Sequence, residues 1–168
     1  MTVAETLTSH HAGLVLLAPF LPQYFERLEL TRAHQFVGEA ERGRGAYLLQ
    51  YAATGIAEAD NTDPVAQLLC GLNPGALAAP ASSLSAHEYT LTTQLLQAVL
   101  QQCPALGQES VEALRGNFLI REGRLQHNTD ADSLTVQRRT YDVLLAKLPW
   151  GFSLIHHPWM SRTLKVHW

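Results

Sequence analysis

The eight prolines and eleven glycines of this chain are spread so that its longest uninterrupted helical pattern is Ala86–Gln102, 17 residues. At about 1.5 Å rise per residue such a helix is only about 25 Å long. Proline removes a backbone donor and glycine weakens a helix interior, so a rod or a long coiled coil is excluded. The chain has to fold back on itself as several short elements. Its 168 residues suffice for one domain with a proper core.

Local patterns name most of those elements. Gly13–Leu17 is a short apolar element, and Pro22 sits where a helix starts, with Tyr24, Phe25 and Leu28 on one face of Gln23–Leu30. Thr31–Arg44 is polar and closes on Gly43 and Gly45. Ala46–Thr54 then has helical spacing and stops at Gly55. Asp63-Pro64 opens a short helix to Cys70 that ends at Gly71. Asn73–Ser83 has the composition of a loop. The firmest helix is Ala86–Gln102, where Ser85 and Glu88 form a capping box and Leu91, Leu95, Ala98 and Val99 make a buried stripe; Pro104 closes it. A further helix runs over Val111–Arg121, with Val111, Leu114 and Phe118 inward and Gly123 as its stop.

Beyond Gly123 the period shifts from helical to alternating. Arg124–Gln126 and Leu134–Val136 flank a turn-rich HNTDAD loop and read as a hairpin, and Tyr141–Lys147 reads as a helix of one to two turns. Phe152–His156 and Leu164–Trp168 alternate as strands, with HPWMSR turning the chain between them. The expected fold is α+β: a mainly helical single domain over residues 13–168 with a small antiparallel sheet from the C-terminal third. Residues 1–12 are expected to form a flexible N-terminal segment.

All three tryptophans fall in the last twenty residues. A tryptophan in a small sheet packs on a helix as core, or it faces a partner, since tryptophan and methionine are enriched at interface cores. Both roles can coexist in different tryptophans. The candidate partner-binding residues are Trp150, Phe152, Trp159, Met160 and Trp168.

Reactive chemistry has little support. His10-His11 and His156-His157 are adjacent pairs, but neighbouring strand side chains point to opposite faces and rarely share an ion. With no HExxH or Cys-x-x-Cys, the histidines read as surface or loop residues and no metal is expected. The run Arg42-Gly43-Arg44-Gly45 lacks the lysine and hydroxyl residue of a phosphate loop, and its arginines read as solvated. Asp130 and Asp132 lack the closing glutamate of a calcium loop. A hydrolase pairing a histidine with Asp130, Asp132 or Asp142 is the one enzymatic alternative. No catalytic residue and no cofactor are assigned. Cys70 and Cys103 sit in apolar helical patterns and are expected as reduced core residues.

Charge narrows the partners. Twelve basic residues, only two of them lysine, face fifteen acidic ones, so a strongly basic nucleic-acid binder is not expected. Charged residues make up 16%, against about 25% in a typical domain, which suits a surface covered by something else. The first eleven residues carry no lysine or arginine, so cytoplasmic synthesis is expected, and the apolar run Gly13–Phe20 is too short for a membrane span.

Read in order, six strings resemble one family: GLVLLAPFLPQYFERLEL at 13–30, AYLLQYAATG at 46–55, LLCGL at 68–72, SVEALRGNFLIREGRL at 110–125, LTVQRRTYDVLLAKLPW at 134–150 and HPWMSRTLKVHW at 157–168. Together they are similar to the C-terminal region of tape-measure proteins of bacterial contractile injection systems, phage-tail-like particles that drive a tube into a target. The resemblance implies a non-enzymatic assembly part that docks to tube, hub or cap proteins. A second copy of the chain is a further candidate partner. It also implies assembly in the bacterial cytoplasm and residence in the particle. The alternative it leaves is an adaptor or chaperone-like module for the tube cap or effector loading. Length control needs length, so a chain broken into short elements is expected to anchor rather than to measure.

Overall fold

The computed structural model describes residues 5–57, 63–75, 83–103, 110–128 and 130–168. Its centre is Ala12–Phe20 (AGLVLLAPF), a 3-10 run in which Ala12 through Ala18 are all buried. A segment apolar on every side has no solvent face to offer, so the other elements wrap it. Helix α1 (Leu21–Arg27) follows with Pro22 in its first turn. A two-residue hairpin, β2 (Thr31–Arg32) and β3 (Gln35–Phe36), turns through Ala33 and His34 and leads into α2 (Glu39–Thr54). Helices α3 (Pro64–Leu69) and α4 (Ala86–Gln102) complete the helical layer.

Helix α2 begins well before the expected Ala46, running through Gly43 and Gly45. Glu39 and Glu41 favour the positive end of its dipole. Gly45 is there for packing: a Cβ at this position would lie 3.0 Å from Cys70 Sγ and 3.3 Å from the Phe36 ring, so glycine lets α2 press onto α3 and the hairpin. Arg42 and Arg44 are not solvated. Arg42 Nη1 donates to the carbonyls of Gly71 (3.1 Å) and Trp159 (3.2 Å), and Arg44 Nε donates to Glu88 (2.7 Å). Both cysteines are free and buried, and burial pushes the Cys70 thiol pKa up.

The caps read from sequence form as expected. The Asp63 side chain accepts from the N–H groups of Val65 and Ala66, and Ser85 and Glu88 close a reciprocal box. Asp63 also accepts from the Ser9 hydroxyl (2.9 Å) and the His10 N–H (3.1 Å), and His11 Nδ1 lies 3.2 Å from it. One buried carboxylate thus ties the N-terminal segment to α3. The expected loop Asn73–Ser83 and the stop at Pro104 fall largely outside the described residues.

The expected helix Val111–Arg121 is broken. Four α-helical residues, α5 (Val111–Leu114), pass into a π turn at Arg115–Leu119, with the Ile120 N–H donating to the Arg115 carbonyl (2.8 Å). A Cβ on Gly13 would sit 1.7 Å from the Phe118 carbonyl oxygen, so this turn lies directly on the central 3-10 run. Gly123 stops no helix. It opens β4 (Gly123–His127), where a Cβ would come within 2.7 Å of Ala12 Cβ.

The α+β class is as expected, and the sheet is larger and mixed. Glu5–Ser9, placed by sequence in a flexible segment, forms β1 and pairs antiparallel with β4. β5 (Asp132–Val136) pairs antiparallel with β4 and parallel with β7 (Leu164–His167), and β6 (Leu154–Ile155) forms the other edge, giving the order β1-β4-β5-β7-β6. The parallel pair arises because the whole 137–163 segment crosses over between β5 and β7, which no local alternation reveals. Leu125, Leu134, Val136, Leu164 and Val166 on the inner face are buried. On the outer face the register lines up two cross-strand rows, Thr8–Arg124–Thr135–His167 and Thr6–Gln126–Ser133–Lys165–Leu154. In these rows every residue but the half-buried Ser133 is exposed.

Candidate docking site

Between β5 and β6 the chain forms a second 3-10 segment, Thr140–Lys147, in which no residue is buried. It runs alongside the end of β7 and leaves an open groove of about 390 Å³ lined by Arg138, Arg139, Val143, Leu145, Phe152 and Trp168, among others. Val143 is 74% exposed and Leu154, on the adjoining sheet edge, 65%. The Phe152 and Trp168 rings meet edge to face at 5.7 Å. This is a shallow apolar surface framed by two arginines, and it has the composition of a protein interface.

The five residues nominated from sequence separate into two groups. Trp159 and Met160 are buried core, 3% and 4% exposed. The HPWMSR turn dips inward, so that Trp159 Nε1 donates to the Leu69 carbonyl (2.8 Å) and its ring packs against Phe25, Phe36 and His157. Neither can face a partner in this fold. Trp150 is half-buried, donates to the Leu16 carbonyl (3.1 Å) of the central 3-10 run, and meets Phe20 edge to face at 5.1 Å. Only Phe152 and Trp168 line the groove.

What holds the groove in shape is a pair that no sequence pattern singled out. Arg121 is 1% exposed, the largest fully buried side chain among the described residues. Its guanidinium grips Asp142 with two parallel bonds (2.7 and 2.8 Å) and donates to the carbonyls of Gln137 (2.9 Å) and Asn117 (2.6 Å). It is sandwiched between the rings of Tyr141 (5.5 Å) and Trp168 (5.2 Å). Asp142 also accepts from the Trp168 indole N–H (2.8 Å) and the Arg139 backbone N–H (2.9 Å). The π turn delivers Arg121 to this point, and a planar fork suits it better than an ammonium would.

Electrostatics follow from these partners. Burial pushes the Asp142 carboxyl up, but Arg121, the Arg139 N–H and the Trp168 indole outweigh it and hold it below the ordinary carboxylate range. Asp63 behaves alike: burial raises it, and His11, Ser9 and the Ala66 N–H outweigh that and hold it below the ordinary carboxylate range. A carboxylate whose folded pKa is depressed contributes stability above its unfolded pKa, near 3.9, that is lost as pH falls through the folded value. Urea midpoints measured by circular dichroism are therefore expected to hold from pH 7 to about 5 and to fall steeply below about 4. Asp142→Asn is expected to flatten that fall while lowering the plateau. A fall that is equally steep in the variant would remove Asp142 as its source.

Of the three carboxylates weighed for hydrolysis, Asp130 is exposed and the other two are engaged structurally. Asp142 belongs to Arg121 and Trp168, while Asp132 is buried between His127 and Arg162. His127 and His11 thus lie against buried carboxylates, Asp132 and Asp63, and are not free surface histidines. Among the described residues no group of His, Cys, Asp and Glu has the arrangement of a metal site, and no helix is long and apolar enough to cross a membrane.

Compared with known families, residues 2–168 match the sequence profile described as contractile injection system tape measure protein. That match starts eleven residues before the first of the six strings and takes in β1. No curated protein and no solved structure matches.

Proposed function

Since the chain belongs to the contractile injection system tape measure protein family, which has a structural role in the injection particle, we propose that this folded region is an anchor that docks onto tube, hub or cap proteins. The observation that carries the reading is the groove at Val143, Phe152 and Trp168, an exposed apolar surface seated on a buried arginine fork. A surface that must bind without deforming gains from such support, because little ordering is left to occur on association. The helices reinforce the reading: the longest, α4, has 17 residues, a scale suited to docking and not to spanning a tube. The function is carried by contact alone, with no residue assigned to catalysis.

The test is capture of purified tube, hub and cap proteins by the chain and by its Val143→Glu variant. Val143 is solvent-facing, so the variant is expected to keep its fold within about 0.5 kcal/mol. Its affinity for the docking protein is expected to drop at least tenfold, about 1.4 kcal/mol. Capture equal to that of the parent chain would refute docking through the groove. Binding of an effector, with no binding to tube, hub or cap, would favour an adaptor role instead.

A further inference from the structure

The groove is one end of a larger surface. Arg138 and Trp168 line it, and they also line an adjacent open basin of about 560 Å³ that reaches Thr135 and His167 on the outer face of the sheet. That face carries the two exposed cross-strand rows, and no helix among the described residues covers it. Its fixed charges are Arg124 and Lys165, and neither row contains an aspartate or glutamate. The remaining positions are mostly threonine, serine, glutamine and histidine.

This contrasts with the chain as a whole. Residues 1–120 contain five basic and eleven acidic side chains, whereas residues 121–168 contain seven basic and four acidic. The pairs Arg121–Asp142 and Arg162–Asp132 neutralise two of each, leaving five basic side chains against Glu122 and Asp130. Positive charge is therefore concentrated in the segment that supplies four of the sheet's five strands, β1 adding Glu5, in a protein whose net charge is −3.

We infer that the outer sheet face is a second half of the docking surface and receives an acidic face of the same partner protein whose apolar residues enter the groove. This rests on the docking role proposed above. Size supports it. Strands about 4.8 Å apart, rising about 3.3 Å per residue, make a face of roughly 300 Å². A stable interface buries about 800 Å² on each partner, so neither the sheet face nor the groove suffices alone, and the shared residues make them continuous. A protein is favoured over nucleic acid because stable DNA binding draws on about six to ten phosphate contacts. Four basic side chains on the joined surface, Arg124, Arg138, Arg139 and Lys165, on a chain of net charge −3, fall short of that. Complementary charge here sets orientation and encounter rate, with the groove supplying the slow dissociation.

The experiment compares the parent chain, Arg124→Glu/Lys165→Glu and Val143→Glu for binding to purified tube, hub and cap proteins at 50 and 300 mM NaCl. Circular dichroism serves as the check on folding. The double charge reversal is expected to weaken binding at least tenfold at low salt and to flatten its salt dependence. Poly-L-glutamate is expected to compete with the parent chain's binding. Full binding by the double variant, with loss in Val143→Glu, would overturn the acidic-partner inference and leave groove docking intact. Full binding by both would overturn both. Tight binding of a 20-base-pair DNA duplex at 300 mM NaCl would instead make the face a nucleic-acid surface and overturn the inference.

Discussion

Arg121→Ala is expected to lower the unfolding free energy by about 3–5 kcal/mol, the range found when one member of a buried ion pair is removed. The substitution withdraws four hydrogen bonds and both ring contacts at once, and it leaves Asp142 with only the Trp168 indole and a backbone N–H. Arg121→Lys is expected to recover only part of the loss, since one ammonium cannot make the parallel pair of bonds or lie flat between Tyr141 and Trp168. Urea denaturation followed by tryptophan fluorescence reads both effects, because Trp168 is itself part of the cluster. A cost below about 1 kcal/mol for Arg121→Ala would mean that the cluster is incidental to the fold. A double-mutant cycle with Asp142→Asn isolates the pair, with a coupling of about 1 kcal/mol or more expected for groups in direct contact.

Trp159→Ala is expected to cost a similar amount, about 3–5 kcal/mol, for a different reason. Its indole fills the junction of α1, β3 and α3 against Phe25 and Phe36, and its N–H satisfies the last carbonyl of α3 at Leu69. Removing it opens a cavity and leaves that carbonyl unpaired. Trp159→Phe keeps most of the volume and is expected to cost less than half as much. Thermal and urea melts distinguish this from an interface role, in which stability would be unchanged and partner capture lost. A stable Trp159→Ala protein with impaired capture would reverse the assignment of Trp159 to the core.

The sequence was legible wherever the determinants lie within one turn of one another. Ser85 with Glu88 and Asp63 with Pro64 each act over a few residues and form as read, and the strands that flank the HNTDAD segment pair as a hairpin. Gly45 misled because a glycine that closes a polar stretch before a helix and a glycine inside a helix that lets two elements touch look alike in one dimension; only its neighbours Cys70 and Phe36 tell them apart. Strand β1 was missed because five residues of mixed polarity become a strand only when β4 is beside them. The candidate site was half legible. Alternation located the strands β6 and β7 close to the C-terminal aromatics, which the fold divides between core and groove. It could not say that Trp159 turns inward while Phe152 stays out, or that Arg121 and Asp142, 21 positions apart, would meet beneath Trp168.

The pairing of β1 with β4 also sets an order in time. Ser9 finds its partner at Gly123, so a ribosome adding about 5–20 residues per second leaves the strand unpaired for on the order of ten seconds. Closing so long a loop is entropically costly and slows folding further. The Asp63 carboxylate, which binds the end of β1 through Ser9 and His10 in the folded chain, is synthesised well before Gly123. The clasp at Asp63 thus joins the first strand to a part of the chain made well before its sheet partner.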